Sequence, residues 1–215
     1  MHNSLLRFDE FEATPLVKEP FEYLIVPNFI RADAVDGLIA DYPILSSPGS
    51  FPIDGLSFGP SFASLLEELN SDQFREAFER KFAVELAGHA TITTVRGRCG
   101  KGDGRIHTDS ASKIITVLLY LNEAWNAVGG RLRLLRSGTD LDDVVAEVEP
   151  AAGTLLAFKR SSNSWHGHRP FVGERRVIQF NWLTGTGHRR IAMLRHQTSA
   201  SVKRLLEAIW SQRQP

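Results

Sequence analysis

The segment RIHTDS (Arg105–Ser110) places a histidine and an aspartate, His107 and Asp109, two residues apart. On an extended chain residues i and i+2 leave the same face, so this imidazole and carboxylate can converge on one point. They could fill two adjacent positions on a metal ion. Alone, such a pair is more often a surface hydrogen bond, and a third ligand must come from a distant part of the chain. The segment NSWHGHRPFVGERR (Asn163–Arg176) offers two candidates, His166 and His168, followed by three arginines. Two histidines and one carboxylate on one face of an iron ion leave the opposite positions free for a chelating cosubstrate and oxygen. A dicarboxylate such as 2-oxoglutarate, chelating at one end, then needs a buried cation at the other, and the guanidinium fork suits that task.

The strands that must carry these groups discriminate among them. In RRVIQFNWL, Arg176 shares a face with Ile178, Phe180 and Trp182, whereas Arg175 shares the other with Val177, Gln179 and Asn181. The large apolar set should pack against helices or an opposing sheet, leaving the mixed set to line a pocket. That selects Arg175 as the anion-binding arginine. In KIITVLLYLN, alternation puts Thr116, Leu118, Tyr120 and Asn122 on one face, and Lys113, Ile115, Val117, Leu119 and Leu121 on the other. Tyr120 and Thr116 could give a polar handle to an apolar pocket. On this strand alone, one tyrosine at the edge of a half-buried sheet is the better reading.

The remaining chain reads as the frame for these strands. Its 215 residues are 42% hydrophobic and 23% charged, which indicates a packed core rather than disorder. Lys plus Arg and Asp plus Glu balance at 25 each, so no global charge draws the chain to nucleic acid or to a membrane surface. A single cysteine, Cys99, excludes an intramolecular disulfide and a thiolate cluster, and reads as an exposed or half-buried thiol. Without an apolar leader at the N-terminus or a run long enough to span a bilayer, the expectation is a cytoplasmic protein.

Residues 21–30 suggest a strand leading into a helix over Asp33–Asp41 with Asp33 as N-cap. Helices are expected over Phe62–Leu69 and Phe74–Leu86, the second with an apolar stripe of Phe74, Phe78, Phe82 and Leu86 and Gly88 at its end. Five β-rich runs follow: Ala90–Val95, Ile114–Leu121, Leu132–Leu135, Thr154–Phe158 and Val177–Leu183. Turn signals separate them, with no helical pattern between, which argues for an antiparallel sandwich or barrel of the jelly-roll kind. The expected organisation is one domain over 1–215: a strand and supporting helices in 1–90, a β core in 91–190 and an amphipathic helix in 199–213.

In order, the segments HTD, TVLLYLNEAW, GGRLRLL, EPAAGTLLAF and WHGHRPFVGERR resemble the Fe(II)/2-oxoglutarate-dependent dioxygenases, in particular the prolyl-4-hydroxylase-like members and the catalytic domains of hypoxia-type prolyl hydroxylases. The resemblance covers roughly residues 94–183. It implies a double-stranded β-helix core and Fe(II), 2-oxoglutarate and O2 as cofactors, with ascorbate as an auxiliary. It assigns His107, Asp109 and His166 as iron ligands. His166 is chosen because it lies four residues before Pro170 and nine before Arg175; His168 does not fit that spacing and is left for a supporting role or the pocket mouth. By the same resemblance Arg175 and Tyr120 hold the far carboxylate of 2-oxoglutarate, Leu132 packs on it, and Thr116 lines the pocket. The implied reaction is hydroxylation coupled to decarboxylation of 2-oxoglutarate to succinate and CO2.

The chain departs from the family pattern in the loop before HTD. RGRCGKGDGR (Arg96–Arg105) holds Arg96, Arg98, Lys101 and Arg105 among four glycines, a basic loop that could receive an anionic substrate or acidic peptide, or simply be solvated. GRCGKGD is not a phosphate loop, because Val95 stands where the leading glycine is needed and Gly102 follows the lysine. His2, His89, His188 and His196 have no partner at metal-ligand spacing. Substrate expectations are a prolyl residue in a peptide or protein, or a small anionic molecule. The rival readings are a cupin-like metalloenzyme that does not use 2-oxoglutarate, and a non-catalytic binding module on the same barrel.

Overall fold

The computed structural model describes residues 4–185. Its elements are α1 (Phe8–Ala13), β1 (Tyr23–Val26), α2 (Ala32–Ala40), β2 (Phe51–Pro52), α3 (Pro60–Leu69) and α4 (Asp72–Phe82), followed by seven strands. These are β3 (Thr91–Cys99), β4 (Lys113–Tyr120), β5 (Leu132–Leu135), β6 (Val144–Val148), β7 (Leu155–Lys159), β8 (His166–His168) and β9 (Gly173–Leu183). The strands form a six-stranded sheet in the order β1-β7-β4-β9-β3-β2 and a three-stranded sheet in the order β6-β5-β8. Every strand pair is antiparallel.

Alternation along β9 decides what lies on each face of the large sheet. Ile178, Phe180 and Trp182 point outward and join the main core with the helical layer. There Phe74 stacks on Trp182 with centroids 5.7 Å apart and meets Phe180 edge-on at 5.7 Å. α4 presents Phe74, Phe78 and Phe82 to this core, fully buried. The opposite face of the sheet packs on the small sheet through a second cluster that includes Tyr120, Leu156, Phe158 and Val177 against Leu132, Leu134 and Val148. The arrangement is the two-sheet, helix-backed core expected of a double-stranded β-helix.

Several boundaries differ from the sequence expectation. α2 begins one residue before Asp33, with Arg31 at the N-cap and no side-chain cap; Asp33 sits in the first turn and pairs with the Arg31 guanidinium. α4 starts at a Ser71 cap, whose side chain accepts from the Phe74 amide, and stops at Ala83 in the left-handed conformation (φ 49°) rather than running to Gly88. Glu79 draws the following chain away from the helix by accepting the Leu86 and Ala87 amides at 2.7 and 2.9 Å. β3 continues to Cys99, because its first half of the basic loop pairs with β9, and Cys99 is buried rather than exposed. α1, β2, β6 and β8 lie outside the predicted elements. The C-terminal helix expected over 199–213 falls outside the described residues, as do His2, His188 and His196.

Candidate iron and 2-oxoglutarate site

His107 lies just ahead of β4 and His166 opens β8, yet the two form an antiparallel bridge, each amide donating to the other's carbonyl at 3.0 Å. This bridge brings two distant segments together and leaves the imidazole centroids 4.3 Å apart. One ligand atom from each of His107, Asp109 and His166 lies within 4.8 Å of the other two, the only such group of three or more among the described residues. His107 Nδ1 lies 2.9 Å from the Arg105 carbonyl, and His166 Nδ1 lies 3.0 Å from that of Ser164. A carbonyl only accepts, so both rings carry the proton on Nδ1 and offer a bare Nε2. That is the tautomer metal binding requires.

Asp109 is buried, and both its oxygens have partners. Lys113 Nζ donates to Oδ1 at 2.9 Å, and the Thr116 hydroxyl donates to Oδ2 while lying 3.0 Å from the Asn181 side-chain amide. Burial pushes the carboxyl pKa upward, but Lys113, His166 and the Thr116 hydroxyl outweigh it and hold the group ionised, well below the usual carboxylate range. Burial lowers the His166 pKa to about 4 against the opposing pull of Asp109, so the ring is a neutral donor near pH 7. A negative oxygen donor and two imidazole nitrogen donors form a set suited to Fe(II).

The same cavity, about 130 Å³ in volume, extends from this triad past Thr116 and Leu132 to Arg175. Arg175 is only 5% exposed, and Nε donates to the Gly130 carbonyl at 2.8 Å. Its guanidinium carbon lies over the Tyr120 ring, 5.2 Å from the centroid. Arg175 Nη2 and the Tyr120 hydroxyl are both buried, with no hydrogen-bond partner among the described residues. Two orphaned donors beside each other, one cationic, are costly unless an anion joins them. Burial raises the Tyr120 pKa, with Arg175 acting against it, so its hydroxyl stays protonated and able to donate. The chain therefore fits a dicarboxylate with one end at the triad and the other at Arg175 and Tyr120.

Glycines permit this convergence. A Cβ on Gly104 (φ 93°) would stand 2.5 Å from His168 Nδ1, and one on Gly130 (φ 80°) 2.6 Å from the Trp125 ring. Gly104 thus lets the basic loop close on β8, and Gly130 lets its carbonyl meet Arg175.

All the residues selected from the sequence, His107, Asp109, Thr116, Tyr120, Leu132, His166 and Arg175, gather at this cavity or directly against it. Arg176 turns away and pairs with Glu174. His168 lies in the cavity wall rather than at the surface, donating Nδ1–H to the Arg169 carbonyl at 2.9 Å, and it is outside the three-ligand group. Burial lowers its pKa to about 4. Lys113 was expected on the Ile115 face, but the β4–β9 register shifts between Lys113 and Ile115, and the lysine reaches Asp109 instead. The four-residue spacing of Asp109 and Lys113 was the available signal. A larger hollow of about 710 Å³ between α2 and α3 is lined by Asp33, Glu67 and Glu68 and contains none of the selected residues. Size does not make it the site, because it lacks convergent donors of the kind found at the triad.

Residues 94–184 match the sequence model of the 2OG-Fe(II) oxygenase superfamily. Comparison with curated proteins gives no match. Among solved structures, a Pseudomonas putida prolyl-4-hydroxylase is similar with a TM-score of 0.56 and 22% identity, over 82% of this chain and 96% of that one. A prolyl 4-hydroxylase structure from Phytophthora capsici gives 0.53 at 18% identity, over 76% of this chain and 59% of that one. An oxidoreductase of the 2OG-Fe(II) oxygenase family from Burkholderia pseudomallei gives 0.51 at 16% identity, over 74% and 82%. At these identities the structures show a shared fold. No helix among the described residues is long and apolar enough to cross a membrane. The segment that matches the 2OG-Fe(II) oxygenase superfamily, whose members are oxidoreductases working with Fe(II), 2-oxoglutarate and O2, is thus the β core that carries the triad.

Proposed function

We propose that this chain is an Fe(II)- and 2-oxoglutarate-dependent hydroxylase, with His107, Asp109 and His166 as the metal ligands. The observation that carries the reading is a pair of donors without a partner among the described residues: Arg175 Nη2, on an arginine lining the pocket that also holds the triad, and the hydroxyl of Tyr120, whose ring lies against that guanidinium. A metal site alone would serve a cupin of any chemistry; a buried cation with a free fork beside it is needed only where an anion is held.

When bound, Fe(II) with 2-oxoglutarate supplies the oxidising chemistry: oxidative decarboxylation to succinate and CO2, coupled to substrate hydroxylation. The protein's part is position and exclusion of water. His107 and His166 present fixed Nε2 lone pairs because backbone carbonyls hold their Nδ1 protons. Lys113 and Thr116 occupy one lone pair on each Asp109 oxygen and orient the carboxylate. Arg175 and Tyr120 would hold the far carboxylate, and Leu132 would give that acid an apolar wall. Together these contacts fix the cosubstrate before the substrate arrives.

Prolyl hydroxylation is one substrate reading, suggested by the resemblance to that branch; oxidation of a small or acidic molecule is the other, and the pocket wall bears on it below. The test is product analysis: with Fe(II), O2 and a mixed panel of peptides and acids, 2-oxoglutarate should be converted to succinate, and Asp109→Asn should stop it. Succinate formed equally by Asp109→Asn would refute the assignment.

A further inference from the structure

Resting on the oxygenase reading above, we propose that Arg96 anchors an oxyanion, a carboxylate or phosphate, on the molecule to be oxidised. Of the basic residues in the segment 96–105, the structure turns only Arg96 into the cavity wall. It sits opposite Val177 in the β3–β9 register, on the same inward face as Arg175 and Gln179. The register shift between Arg96 and Arg98 then takes Arg98 out of that face, to a separate hollow beside Glu174 and Arg176. Lys101 and Arg105 are exposed, and Arg169 is paired with Asp142 at 2.7 Å.

The cavity therefore has two guanidinium groups, and 2-oxoglutarate accounts for one. Arg175 is enclosed and has the Tyr120 hydroxyl beside it, whereas the Arg96 side chain is about a quarter exposed. Among the described residues its guanidinium makes one polar contact, Nη1 to Asp103 Oδ2 at 2.9 Å. That oxygen also accepts the Gly100 amide at 2.8 Å, so Asp103 closes the turn and lays the guanidinium along the wall. Arg96 Nε and Nη2 have no hydrogen-bond partner among the described residues, and these are the donors of a fork that grips an oxyanion. The alternative is a plain loop staple in which Arg96 does nothing beyond holding Asp103.

The two roles separate by experiment. In the full-length protein loaded with Zn(II) and 2-oxoglutarate, sulfate is titrated at constant ionic strength while the arginine Nε–H resonances are followed by NMR. The Arg96 signal, assigned by its loss in Arg96→Gln, should shift saturably; the Arg175 signal should move on adding 2-oxoglutarate and so reports the cosubstrate reading separately. Arg96→Gln should weaken sulfate binding about tenfold or more, the worth of a charge-assisted contact, and Arg98→Gln should leave it unchanged. Asp103→Asn removes a competing carboxylate and should tighten binding, whereas a staple would make Asp103→Asn and Arg96→Gln behave alike. No saturable shift at Arg96, or equal weakening in those two variants, overturns the proposal. In a succinate-release screen of small acids, their amides and acidic or neutral prolyl peptides, turnover should require an anionic group in wild type and fall in Arg96→Gln. A neutral prolyl peptide turned over equally by both would also overturn it.

Discussion

Replacing Arg175 by methionine isolates the cosubstrate grip from the metal site. The side chain is 5% exposed, donates Nε to the Gly130 carbonyl, and keeps Nη2 without a partner among the described residues. In the free protein the substitution costs the Gly130 bond, about 1 kcal/mol, and relieves the burial of an unneutralised cation, so stability should change little. In the complex it removes the charge-assisted fork and strands a buried carboxylate, a loss of about 3–5 kcal/mol. That corresponds to roughly a hundredfold to several-thousandfold rise in the Kd of 2-oxoglutarate. Arg175→Lys should fall between, because a compact ammonium cannot serve both Gly130 and a carboxylate. Isothermal titration of the Zn(II)-loaded protein with 2-oxoglutarate gives the number, and a parallel Zn(II) titration should be unaffected. A Kd for 2-oxoglutarate within about threefold of wild type in Arg175→Met would refute the reasoning.

Three further outcomes follow from the same contacts. Tyr120→Phe deletes an orphaned hydroxyl, so thermal stability should hold or rise slightly while 2-oxoglutarate binds up to about tenfold more weakly; a large loss of stability would show that the hydroxyl has a partner in the fold. Lys113→Met removes the ammonium that orients Asp109 and should weaken metal binding about 10–100-fold in a chelator competition. Phe74→Ala opens the core where Phe74 meets Phe180 and Trp182, and denaturant unfolding should show a loss of about 3–5 kcal/mol with the metal ligands intact.

What was legible in the sequence was what alternation and spacing encode. The β9 parity separated Arg175 from Arg176, and the structure buries the first in the cavity and pairs the second with Glu174. The phenylalanine stripe of α4 gave its buried face, but not its end, because Glu79 captures two downstream amides by a tertiary contact that no local signal announces. β8 has three residues and no strand pattern; it exists because His166 and His168 pair with Leu134 and Leu132. Parity failed where the register shifts. One shift brings Lys113 to Asp109, and another separates Arg98 from Arg96, so the basic loop resolves into one inward arginine and several outward charges. A one-residue irregularity reverses every side chain beyond it.

On the proposed reading His107, Asp109 and His166 hold the metal while Arg175 holds the acid beside it. Anaerobic addition of Fe(II) and then 2-oxoglutarate should produce a visible metal-to-ligand charge-transfer band. The band should vanish in His166→Ala, survive in His168→Ala, and need far more 2-oxoglutarate in Arg175→Met. No band in wild type, or a band lost with His168 and kept without His166, would contradict the account.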